Sequence, residues 1–80
     1  MRRPSWVPVR LDWTGVGADR IRIHDVTGRT VRRIDLGGGA SGSVQWDGRD
    51  DGGNLVPAGL YFARLTGGSL HAQTRIVLLP

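Results

Sequence analysis

The sequence predicts an all-β chain, folded as a small antiparallel sandwich of six to seven strands. Apolar and polar residues alternate with strand period again and again. Glycine-rich turns separate these runs at short, regular intervals. All charged residues are Arg or Asp, so Lys and Glu, both strong helix formers, are absent. Short strands with such turns and no helical pattern read as a sandwich.

Residues 1–6, "MRRPSW", form a lead-in, and residues 7–80 form the domain. In the first run Val7, Val9, Leu11 and Trp13 share one face, and Pro8, Arg10 and Asp12 the other. "TGVGAD" breaks it. In "RIRIHD", Ile21 and Ile23 face inward, and Arg20, Arg22 and His24 face water. "DVTGR" turns the chain, with Gly28 at the left-handed position of a three-residue hairpin loop. "TVRRIDL" is a strand in which Val31 and Ile34 cannot both point inward without an irregularity.

"GGGASG" is a loop, and "SVQWD" then puts Val44 and Trp46 on one face. A long turn, "DGRDDGGNLVPAG", leads to "LYFARL", with Tyr61, Ala63 and Leu65 inward and Phe62 and Arg64 opposite. "TGGS" is a hairpin signal. The last run, "LHAQTRIVLL", places Ala72, Thr74, Ile76 and Leu78 inward. Trp13 and Trp46 fit core positions, each burying roughly 150–250 Å². Trp6 would cover one end.

Eighty residues suffice for one domain with a thin core. Cysteine is absent, so stability comes without disulfides or from a neighbouring domain. The basic start is not followed by the apolar run of a signal peptide. No segment approaches the roughly 18 apolar residues of a membrane helix. An exported form would need a longer chain to carry the signal, and no membrane insertion is expected.

The formal net charge of +4 raises the question of nucleic acid. Yet Arg10, Arg20, Arg22, Arg32, Arg33, Arg64 and Arg75 are scattered in sequence among aspartates. No aromatic stacking set is interleaved with them. A nucleic-acid partner is not expected.

The acidic turn has three chemical readings. A calcium loop of EF-hand type wants oxygen ligands at positions 1, 3 and 5, Gly at 6 and Glu at 12. Counted from Asp47, Arg49 and Ala58 fall on ligand positions, and only Asp47, Asp51 and Gly52 fit. A looser calcium site on Asp47, Asp50, Asp51 and Asn54 is the alternative. Asp50 and Asp51 as a catalytic carboxylate pair would sit poorly ordered on a glycine-rich turn. The preferred reading is structural: Asp and Asn side chains bond local backbone N–H groups, and Gly takes the positive-φ positions.

His24 and His71 read as solvated surface residues, since two histidines without cysteine do not make a zinc site unaided. Ser5, Ser41, Ser43 and Ser69 lie in no nucleophile motif, and "GGGASG" lacks the Lys of a phosphate loop. The sequence points to no enzyme, no cofactor and no metal.

"IHDVTGRTVRRI", "WDGRDDGGNLVPAGLYFARL" and the closing "RIVLLP" together resemble a known family. They are similar to the FlgD-type immunoglobulin-like domain and its relatives, the C-terminal sorting domains of the type IX secretion system. Asp25, Val26, Gly28, Arg29 and Val31 match the first motif of that family. Trp46, Asp47, Gly48, Asp50, Gly53, Val56, Gly59, Tyr61 and Leu65 match the second. Arg75, Val77, Leu78 and Leu79 match the closing strand. The resemblance spans about residues 7–80. His24 stands where the family usually has Tyr, and "MRRPSW" replaces an Asn-Pro-rich lead-in.

The resemblance implies an immunoglobulin-like sandwich with a non-enzymatic role. One implied role is a terminal module of a larger bacterial protein, secreted or held at the cell surface and recognised by the secretion machinery. Arg75, Ile76, Val77, Leu78 and Leu79 would then be the recognition segment, and their place at the C-terminus favours this role. Another is a scaffold domain in flagellar hook assembly. A plain appendage docking neighbouring domains by a strand edge is the third.

Overall fold

A computed structural model of the chain describes residues 2–4, 8–14, 18–37, 41–67 and 70–80. They form seven strands: β1 (Arg2–Pro4), β2 (Val9–Thr14), β3 (Arg20–Asp25), β4 (Thr30–Asp35), β5 (Ser41–Trp46), β6 (Gly59–Gly67) and β7 (Leu70–Leu79). No helix occurs among the described residues. The strands make a five-stranded sheet, in the order β1-β7-β6-β3-β4, and a two-stranded sheet, β2-β5. Trp6, Val7 and part of the "TGVGAD" and "TGGS" turns lie outside the described residues.

The chain leaves the large sheet after β4, visits the small one as β5, and returns as β6. This crossing makes β6 a neighbour of β3 rather than of β5. One pairing departs from the antiparallel expectation. β1 runs parallel to β7, with Arg2 opposite Val77 and Pro4 opposite Leu79. So part of the lead-in joins the sheet. Three residues are too few to show an alternation, and Pro4 suits an edge strand, where a missing N–H is tolerated.

Alternation places the core as the sequence predicts. Val9, Leu11 and Trp46 from the small sheet meet Ile21, Ile23, Tyr61, Ala63, Leu65, Ile76 and Leu78 from the large one. Trp13 and Val44 pack against this core half-buried. The irregularity expected in β4 lies opposite the end of β3: Ile23 pairs with Arg32, and His24 with Thr30, so Val31 is left over. The bulge lets Val31 bury while Ile34 packs against the core opposite Ile21.

Three expectations need correction. Ala72 and Thr74 are exposed, not buried. They pair with Leu65 and Ala63 and share their face, but those partners are buried while Ala72 and Thr74, one strand further out, are not, because the facing sheet has two strands against five. The cover stops short, leaving an apolar depression beside Leu11 and Trp13. Second, the "GGGASG" loop is shorter than expected, because Ser41 and Gly42 already belong to β5. Gly42 lies opposite Trp13, and a Cβ there would come within 2.8 Å of the indole. The glycine is therefore the seat on which the Trp13 ring rests. Third, His24 is half-buried rather than solvated, its ring stacked on Phe62 at 5.4 Å between centroids. His71 is exposed.

Candidate functional site

The acidic turn, residues 47–58, closes one end of the sandwich. Its aspartates bond the turn's own backbone. Asp47 Oδ1 accepts from the Arg49 N–H at 3.0 Å. Asp50 Oδ1 accepts from the N–H groups of Gly52, at 2.9 Å, and Asn54, at 3.0 Å. The Asp50 N–H in turn donates to the Asn54 carbonyl at 2.8 Å. Gly53 sits at φ 88° with open space around it, so the backbone, not packing, demands glycine there. This is the Asx-turn chemistry expected of Asp and Asn between strands. Among the described residues, no three of His, Cys, Asp and Glu gather as a metal site.

Asp51 does something the sequence did not reveal. Its N–H donates to the Val31 carbonyl at 2.8 Å, and its Oδ1 accepts from the Arg33 N–H at 3.1 Å. Its Oδ2 meets Arg33 Nη1 at 3.1 Å. The turn thus lies along β4, the outer strand of the large sheet, and satisfies part of its exposed ladder. Arg32 reaches the same turn, with Nη1 at 3.4 Å from the Asp50 carbonyl. An edge covered by a loop is protected from pairing with other chains. The Arg32-Arg33 doublet was the available signal, but nothing local ties it to Asp51.

The turn also anchors the core. The Trp46 indole N–H donates to the Arg49 carbonyl at 2.9 Å. The Tyr61 hydroxyl donates to the Pro57 carbonyl at 2.7 Å. The two rings meet edge to face at 5.7 Å. Gly48 and Val56 are buried beneath them, joined by the Val56 N–H to the Gly48 carbonyl at 2.8 Å. Gly59, at the start of β6, has a φ of 149°.

The β3-β4 hairpin repeats the device. Asp25 Oδ1 accepts from the Thr27 N–H at 2.9 Å, the Thr27 hydroxyl at 2.6 Å and the Arg29 N–H at 3.1 Å. Gly28 takes φ 88° as expected, and the Asp25 N–H to Arg29 carbonyl bond closes a three-residue loop. The Thr27 hydroxyl first, then the two N–H groups and the Arg29 guanidinium, hold the Asp25 carboxyl below its ordinary pKa, against a desolvation cost. Burial, and then the negative charge of Asp25, push the Tyr61 phenol above its ordinary value, with Arg29 opposing.

The closing strand divides the recognition segment in two. Ile76 and Leu78 are fully buried. Arg75, half-buried Val77 and exposed Leu79 occupy the other face. Only these three side chains can meet a partner while the domain is folded. β1 covers the edge of β7 from Val77 to Leu79, so that edge is not open for strand addition there.

The arginines, scattered in sequence, are not scattered in space. Register puts Arg33, Arg22 and Arg64 directly opposite one another on β4, β3 and β6. Arg20 and Arg75 lie on the same outer face.

Two facing sheets, joined by chain crossings around a buried tryptophan, define an immunoglobulin-like sandwich module. The chain belongs to the FlgD Ig-like domain family, whose model matches residues 9–69. The matched span holds the Asp25 hairpin and the whole aspartate turn, and ends before Arg75–Leu79. No curated protein and no solved structure matches the chain.

Proposed function

We propose that the domain is a non-enzymatic docking module of a larger exported bacterial protein, joining that protein to an assembly at the cell surface. The observation that carries this reading is the use made of the most chemistry-like residues. Asp25, Asp47, Asp50 and Asp51 hold backbone N–H groups and a sheet edge in place. They serve the scaffold rather than a reaction, and membership of the FlgD Ig-like family accords with such a part.

Two finer readings follow. Type IX sorting or surface attachment rests on the closing strand, where Arg75, Val77 and Leu79 face outward. A hook-assembly scaffold rests on the family match. A reporter fused to a signal peptide and this domain, expressed in a type IX-competent host, separates them. Sorting predicts delivery to the surface or medium, abolished by deleting Ile76–Pro80. Arg75→Ala, an exposed change with little expected cost in stability, would reduce delivery without unfolding. Periplasmic retention of a folded, intact fusion would reject sorting and leave the scaffold and appendage readings.

A further inference from the structure

We infer that the outer face of the five-stranded sheet is a docking surface for an acidic, extended segment of a partner protein, gripped by Arg22, Arg33 and Arg64. These three arginines stand directly opposite one another on adjacent strands. At a strand spacing of about 4.8 Å, the row runs roughly 10 Å across the sheet. Like charges directly opposite one another oppose sheet pairing. The fold therefore carries an arrangement that costs it stability and that a ligand would relieve.

The counter-charges on the molecule do not neutralise the row. Asp35 meets Arg20 at 3.4 Å, and Asp51 reaches Arg33 from the turn. Among the described residues, Arg22 and Arg64 form no ion pair and no side-chain hydrogen bond; both are exposed. With Arg20 and Arg75, the described residues of this face include five arginines, and only Asp35 and the Asp51 carboxylate reach them, so the face stays net positive. Arg20, Arg22, Arg33 and Arg64 line one shallow depression with Thr66.

Carboxylates fit this surface better than a nucleic acid does. The guanidinium fork takes a carboxylate or a phosphate through two parallel hydrogen bonds, so the choice between them falls to what surrounds the arginines. Alternate side chains of an extended segment recur about every 6.7 Å on one face, so a segment crossing the strands sets two carboxylates within the span of the row. Single-strand binders offer open aromatic platforms for bases. Here Phe62 has His24 stacked against it and Arg75 opposite it on β7. The inference deepens the docking reading by naming the partner's chemistry, and rests on that reading only for the choice of a protein partner.

The test is fluorescence anisotropy with the 80-residue chain and a labelled peptide of alternating Asp and Thr at low salt. The same peptide with Asn for Asp and a labelled oligothymidylate serve as comparisons. The acidic peptide should bind and the Asn peptide should not. Arg22→Gln should weaken binding about tenfold, the loss expected for one charge-assisted contact. Arg10→Gln removes the same charge from β2 of the other sheet and should leave binding nearly unchanged. The melting temperature of Arg22→Gln should hold or rise, since a repulsion is removed. Equal loss in Arg22→Gln and Arg10→Gln, or equal binding of the Asn peptide, would overturn the site. Tighter binding of oligothymidylate would replace the protein partner with a nucleic acid. Failure here with normal delivery of the reporter fusion would remove this surface and leave the docking role standing.

Discussion

The indole N–H of Trp46 ends on the backbone carbonyl of Arg49, 2.9 Å away, and so joins the largest fully buried side chain of the core to the aspartate turn. Core and turn are therefore one unit. Trp46→Ala should cost roughly 3–5 kcal/mol, the range for deleting a buried large aromatic. Trp46→Phe keeps most of the apolar contact but leaves the Arg49 carbonyl without its best donor, for about 1–3 kcal/mol. Chemical denaturation of both variants checks this. A loss below about 1 kcal/mol for the alanine variant would mean the indole is not a core residue.

Tyr61 is the chain's single tyrosine, so its ionisation can be followed directly by tyrosinate absorbance. Burial and the nearby Asp25 charge raise its pKa. The folded domain should titrate above the free value of about 10. A pKa raised on folding contributes stability that is present below the unfolded pKa and lost as pH climbs through the folded one. Tyr61→Phe should remove that alkaline loss. It should also cost about 1 kcal/mol through the bond to Pro57. A midpoint at or below the free value would contradict the geometry.

Asp25 works in the opposite direction. Its folded pKa is lowered, so its contribution is complete above the unfolded value and disappears as pH falls through the folded one. The Asp25 contribution to melting temperature should be flat above about pH 5 and fall below about pH 4. Asp25→Asn keeps an oxygen for the Thr27 and Arg29 N–H groups but cannot titrate there. Its acid slope should be shallower than that of the wild type. Identical slopes would show that Asp25 is not among the groups whose protonation opens the hairpin.

Calcium should leave the fold almost untouched. Asp47 and Asp50 each turn an oxygen to backbone N–H groups, and Asp51 is committed to Arg33. Melting in millimolar calcium should agree with melting in chelator to within about a degree. A rise of several degrees would show that the turn rearranges into a cation site, because a ligand that binds only the native state raises its stability.

Much of this molecule was legible along the chain because strand period is a local property. The alternations Val9-Leu11, Ile21-Ile23 and Tyr61-Ala63-Leu65 named the inward faces. The conflict between Val31 and Ile34 announced a bulge, and Gly28 announced its turn. The Asp-Gly turn was readable for the same reason: Asp50 bonds Gly52 and Asn54, only a few residues away. What the chain could not show alone was which strands become neighbours. Setting β3 between β4 and β6 aligns Arg33, Arg22 and Arg64 and turns scattered charge into a row. The docking of Asp51 onto β4 is equally non-local. Ala72 and Thr74 have the right phase for burial, yet they stay in water because the two-stranded sheet does not reach across to them. Period tells a side chain which way to point; only the assembled sheets decide what it meets.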